Sequence, residues 1–326
     1  MNAIPIPIGE ATDPGPHAKP EGATALQWPS LLALLRHMRT SPVNLGRMVS
    51  VGLAYVRARA LRPGLEQQLR GSTLLGVVLQ RGTEAFTPLV RELADRRLSL
   101  SRRFEVFAHS VLGTEQMLSA AALRELHQGR RVVLLSHEDC QIDLGPNEYS
   151  MEEGLWSVTL RGAQGVRLSS VSFSVLPGQR LMLGCVQGPK LSEALALDEI
   201  RRATHAFHGL RPPHVVLAVL KVLARLAGQQ LLGVDLHVKA RLRRRLLRSS
   251  YHFDYRAFWG EQGGTLNADG HWVLPLDDGG QRLLSEVPSK KRSMYRRRNE
   301  LLASLPLRLQ PHLAPSLSLA LERAAA

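Results

Sequence analysis

The chain has 326 residues, 44% of them hydrophobic and 21% charged, which allows one or two domains with an ample core. Its 42 Lys and Arg against 28 Asp and Glu give a net charge of +14. Such a balance favours anionic partners: nucleic acid, anionic lipid heads or phosphorylated small molecules. The two cysteines, Cys140 and Cys185, exclude a disulfide scaffold and a Cys-rich metal site.

Residues 1–24 are rich in Pro and Gly and read as a disordered leader. They lack a basic stretch followed by an apolar core, so no secretory signal is expected. Residues 25–128 read as a helical region. Three apolar-periodic stretches stand out, ALQWPSLLALLRHM, LGRMVSVGLAYVRARAL and TPLVRELADRRL, with a further helix over Ser119 to His127. The longest apolar run, Val215 to Gly228, is too short to span a bilayer and carries Lys221 and Arg225. The expected location is therefore cytoplasmic, with peripheral attachment to anionic lipid open.

The pattern changes near Arg130. RRVVLLSHE and LWSVTLRG read as buried strands. VRLSSVSFSVLPG and RLMLGCVQG form an expected hairpin around Pro177-Gly178. Leu191 to Phe207 reads as a helix with Ser192 as a cap, and Pro212-Pro213 opens a second helix. QQLLGVDL then reads as a strand, which makes a crossover inside one sheet. HVKARLRRRLLRSS is a basic, helix-like segment, and YHFDYRAFWGEQGG an aromatic-rich turn region. HWVLPL is a short strand, SKKRSMYRRRNELLASL a basic helix, and 306–326 a disordered tail. The predicted fold class is α/β, with α+β the alternative. A helical N-terminal region precedes a mixed-sheet core at 129–305.

Four pieces in this order, LMLGCVQG, THAFHGLRPPHVV, YHFDYRAFWGEQGG and SKKRSMYRRRNELL, resemble the VirK/YbjX family over roughly Leu34 to Leu305. That resemblance implies a bacterial protein linked to envelope-related virulence and to resistance against cationic antimicrobial peptides. It supplies no agreed activity and no catalytic residues. The strand, HGLRPP turn, helix and strand also resemble the GNAT acyltransferase fold, in which acyl-CoA lies between splayed strands. The usual pyrophosphate loop of that fold is absent here, and an extra helix intervenes.

Several constellations have two readings each. Gly184, Gln187 and Gly188 end a strand, where a bulge frees amides for a cofactor chain or a glycine turn reverses the backbone. His208, Gly209 and Arg211 precede a helix start that suits phosphate, or they form a structural turn. Prolines 212 and 213 remove donors there. In the aromatic cluster, Glu261 or Asp254 suits a general base, with His252 a further candidate, and Tyr255 suits a general acid. Alternatively the rings form a core plug and Asp254 caps a turn. His137, Glu138, Asp139, Cys140 and Asp143 follow a strand end, but neighbours on an extended chain point to opposite faces, so no metal site is expected. Glu148, Glu152 and Glu153 read as a solvated loop. Lys290, Lys291, Arg292 and Arg298 are candidate anion-binding residues, or a solvated helix face.

Two functional expectations follow. In the first, an acyltransferase-like protein modifies an envelope component or its precursor with an acyl-CoA or related donor. In the second, a non-enzymatic basic protein binds nucleic acid or anionic lipid in a stress response.

Overall fold

A computed structural model describes residues 26–38, 45–189, 193–240, 253–277 and 284–315. The expected leader, most of the basic segment at 237–250, Tyr251, His252, the Ser192 cap and the end of the expected tail lie outside these residues.

Among the described residues six α-helices come first: α1 (Leu31–Met38), α2 (Leu45–Gln68), α3 (Leu74–Leu79), α4 (Thr87–Val90), α5 (Leu100–Met117) and α6 (Ala120–His127). Ser99 and Ser119 start α5 and α6 by accepting the amides of Arg102 and Ala122, the usual service of a serine cap. The helix expected over TPLVRELADRRL stops at Val90. Beyond it the chain turns irregularly, with Ala94 at a positive φ, and Asp95 is buried, because Ala94 and Arg96 exchange backbone hydrogen bonds with Ala240 and Val238. Backbone pairing there overrides the helical period.

An eight-stranded sheet follows, in the order β1 (Val132–His137), β2 (Cys140–Pro146), β3 (Trp156–Arg161), β4 (Arg167–Leu176), β5 (Arg180–Gln187), β6 (Gln230–Val234), β8 (His271–Leu274), β7 (Thr265–Leu266). The first five strands form an antiparallel meander. The one parallel step joins β5 to β6, and its crossover contains α7 (Glu193–Ala206) and α8 (Pro212–Leu226). A short helix, α9 (Tyr255–Glu261), leads into the β7–β8 hairpin, and α10 (Ser289–Leu309) closes the fold. The α/β class and the mixed sheet are as the sequence predicts.

Strand β2 is an addition to that reading. Ile142 and Leu144 point into the core while the intervening Asp143 is buried on the other face, held by Arg131 and Arg161. A buried carboxylate hid the strand pattern. Helix α10 continues past 305 to Leu309, and the backbone of Ser119 and Ala314 ties its end to the α5–α6 corner. Leu309 and Leu313 are buried, so residues 306–315 belong to the fold rather than to a disordered tail.

Apolar α8 packs on β3, β4 and β6, while α5 packs on β4 and α10 on α8 and β1. Gly113 lets α5 approach, since a Cβ there would stand 2.7 Å from the Val175 side chain. The helical region is also stitched to the far edge of the sheet. Asp95 accepts from Arg97 and lies 2.9 Å from Nε2 of His271 on β8. Burial pushes the Asp95 carboxyl up, but the hydrogen bonds from His271 and Arg97 outweigh it and bring it down to about 2. A depressed carboxylate stabilises the fold above its ordinary range, and that contribution is lost as pH falls toward 2. Asp95→Asn is therefore expected to cost about 2 kcal/mol at pH 7. Urea midpoints should show the deficit shrinking as pH falls through 4 toward 2.

Candidate functional site

Three of the sequence motifs meet at the C-terminal ends of β5 and β6. Ser172 faces Cys185 and Phe173 faces Leu183, so Gly184 is an extra, bulged residue in β5. Pairing between β5 and β6 ends at Leu183 and Gly233, and the two strands part beyond that point. The bulge predicted from the sequence is thus present, but the protein's own chain uses it. A Cβ at position 184 would stand 1.7 Å from the Glu153 carbonyl oxygen, so glycine is required for that backbone to pass.

The opening between β5 and β6 is filled. The Lys239 ammonium donates to Glu153 Oε1 at 2.6 Å and to the Gly184 carbonyl at 2.8 Å. The Tyr255 hydroxyl accepts from the Val186 amide at 3.0 Å and points its own proton toward Cys185 Sγ, 3.4 Å away. Gln187 bonds the same sulfur, and Gly188 is exposed. Nearby, Arg91 and Glu152 form a second buried ion pair. Glu152 and Glu153 are therefore core residues, not part of a solvated loop. The sequence reading missed Lys239 because it opens a basic run. No local pattern marks it, because its partner Glu153 lies 86 residues away in sequence.

Residues 255–261, read as a turn, form helix α9. Asp254 caps it by accepting the Ala257 amide, which is the structural role rather than that of a general base. Trp259 lies over Gly233 and donates to the Val234 carbonyl, and Phe253, Phe258 and Tyr255 pack edge to face. The aromatic cluster is a core plug. Glu261 is exposed at the other end of α9, 3.6 Å from His214 in the first turn of α8. Tyr255 and Glu261 are the first and last of the seven residues of α9, six rises apart, or roughly 9 Å along the axis at 1.5 Å per residue. Asp254, Tyr255 and Glu261 consequently do not face one hollow.

The 208–211 turn meets α10. Arg298 donates two hydrogen bonds to the His208 carbonyl, at 3.1 and 2.9 Å, and its guanidinium stacks on Tyr295. A Cβ on Gly209, whose φ is +83°, would stand 2.7 Å from Arg298 Nη2. Arg298 is thus a clamp on the turn, and its hydrogen bonds are directed inward rather than at a ligand. The start of α8 offers few amides: prolines 212 and 213 have none, and those of His214 and Val215 both bond the Arg211 carbonyl. Cationic side chains remain. Arg211, Lys290, Lys291, Arg292, Arg296 and Arg297 are exposed, and none enters an ion pair among the described residues. Arg292 spends one donor on the Val287 carbonyl. Burial lowers the pKa of His208 and of His214; His137 and Arg297 lower that of His208 further, while Glu261 opposes the shift at His214.

Alongside the C-terminal half of α7, Glu138, Asp139, Cys140, Glu199 and Arg202 line a small open recess of about 60 Å³. Burial and the neighbouring carboxylates push the Cys140 thiol up to about 11, which leaves it unreactive at neutral pH. His137 lies 3.1 Å from the Ala206 carbonyl, and Glu148 pairs with Arg131 and Arg161. Among the described residues, no group of three His, Cys, Asp or Glu is placed to hold a metal. Nor is any helix long and apolar enough to cross a membrane.

Helix-flanked mixed sheet, single parallel step and cationic turn together define an α/β protein with an internally plugged strand opening. The chain belongs to the DUF535 family, described as proteins of unknown function and also known as the VirK/YbjX family; the family model matches residues 52–310. It is 30% identical to an uncharacterized protein of Haemophilus influenzae over 68% of this chain and 75% of that one. It is 34% identical to the uncharacterized protein YbjX of Escherichia coli over 50% and 49%. A "Membrane protein LapB" of Mannheimia haemolytica is 26% identical over 45% and 64%. No solved structure matches.

Proposed function

We propose that this protein binds a phosphorylated anionic ligand on the cationic face made by Arg211 and the first half of α10. One observation carries this reading. Two family-like motifs 90 residues apart in sequence are clamped together by Arg298, and the exposed Arg and Lys around that clamp enter no ion pair among the described residues, Glu261 pairing instead with His214. Exposed guanidinium groups bind phosphate oxygens through paired N–H donors. The family resemblance adds the expectation of an envelope-stress role, with a phosphorylated envelope component or its precursor as the ligand.

The acyl-transfer reading keeps one support, the bulged strand followed by a parallel crossover. The residues present do not fit a CoA donor. The Val186 amide is taken by Tyr255, the gap holds Lys239, and the first turn of α8 has no spare amide. We derive no transfer step, and the second expectation, a non-enzymatic binding protein, fits this geometry better.

Titration with inorganic pyrophosphate, CoA and a single-stranded oligonucleotide tests the proposal. Pyrophosphate and CoA should bind with similar affinity, each weakening steeply with salt. The double variant Arg211→Ala/Arg297→Ala should lower that affinity at least about tenfold, a loss of two charge-assisted contacts. Asp254→Asn should leave it unchanged. Absence of binding at about 1 mM, or binding indifferent to the arginines, overturns the proposal. A strong preference for CoA would favour the donor reading, and a strong preference for the oligonucleotide would favour nucleic acid.

A further inference from the structure

Helix α2 has a buried face and an exposed apolar face. Val51, Tyr55, Ala58 and Leu65 are buried, and α2 packs on α4 and α5. Arg62 stacks on Trp28 and Tyr55 and fixes the helix at its C-terminal half. On the other side Leu45 is 77% exposed, Val49 54%, Leu53 55% and Val56 58%. Their spacing of four, four and three residues puts them on one stripe of an α-helix. Leu32 of the adjacent α1 is also exposed.

The charge around the stripe identifies its partner. At 100° per residue, Arg57 and Arg59 fall on opposite flanks of the stripe; both are exposed, and neither enters an ion pair among the described residues. The sequence Leu45–Arg62 contains no Asp or Glu. A second copy docking on this face would bring arginines against arginines with no acid to offset them. A bilayer with anionic headgroups accepts both parts, the leucines and valines at the acyl boundary and the guanidinium groups at the phosphates.

We infer that the N-terminal half of α2 is an in-plane membrane-docking face for anionic lipid. The face is distinct from the cationic turn and is set by apolar contact, so the inference does not depend on the proposed ligand site. Being exposed, the four apolar side chains can be changed to glutamine, a good helix former, without opening the core.

Co-sedimentation with vesicles is the test. The full chain should bind phosphatidylcholine–phosphatidylglycerol vesicles (roughly two to one) and retain part of that binding at high salt, because the apolar component is not screened. Leu45→Gln/Val49→Gln/Leu53→Gln/Val56→Gln should reduce the partition at least about tenfold with unchanged circular dichroism. Arg57→Gln/Arg59→Gln should weaken binding to anionic vesicles only. Lys290→Glu/Lys291→Glu should leave the salt-resistant part intact. Equal partition of wild type and the glutamine variant, loss of all binding in the Lys290/Lys291 variant alone, or a solution dimer that the glutamine variant dissociates would each overturn the inference.

Discussion

Lys239→Met is expected to destabilise the protein by about 3–5 kcal/mol, because it breaks a buried ion pair with Glu153 by removing one member. Both side chains are essentially inaccessible, at 1% and 0% exposure, so water cannot take over the lost partner. The Gly184 carbonyl loses a donor as well. Urea unfolding should show the loss as a shift in midpoint at unchanged slope. The double variant Lys239→Met/Glu153→Gln should lose less than the sum of the two single changes, since both act on one interaction. If Lys239→Met is close to neutral, the strand opening is not held by this pair.

Gly184→Ala should be comparably damaging for a steric reason. Its Cβ would overlap the Glu153 carbonyl, a backbone atom that cannot rotate away. Relief requires residues 152–154 to retreat, which would break the Ser172 hydroxyl's bond to the Glu153 carbonyl and misplace the Glu153 side chain opposite Lys239. The cost should reach about 3 kcal/mol or more, at the upper end for overpacking. A stable Gly188→Ala, at an exposed position where a Cβ meets nothing within 4 Å, is the matched control.

Much of the α/β core was legible because its signals are local. Pro177-Gly178 marks the β4–β5 turn, and Pro212-Pro213 opens α8. The bulge at Gly184 followed from a glycine inside an apolar strand. What escaped depends on partners distant in sequence. Asp143 concealed β2 because Arg131 and Arg161 neutralise it in three dimensions. Asp95 sits in a helix-like pattern, yet backbone bonds from its neighbours to Val238 and Ala240, and the His271 side chain, decide its place. Glu153 and Lys239 look solvated in sequence, 86 residues apart, and become a buried pair only when the sheet forms. The candidate site was misread for the same reason. Asp254, Tyr255 and Glu261 are close in sequence, but a helix sends one to a cap, one into the strand opening and one to the surface. The link between the 208–211 turn and the basic helix was not anticipated. It depends on Arg298, whose side chain crosses 90 residues of sequence to reach a backbone carbonyl.

Amide hydrogen exchange with and without saturating pyrophosphate or CoA locates the ligand most directly. Slowed exchange is predicted in peptides covering 204–215 and 289–300, with 184–188 and 255–261 unchanged. Protection at 184–188 and 255–261 instead would place the ligand in the strand opening, and unchanged exchange throughout would show that the cationic face holds no such ligand.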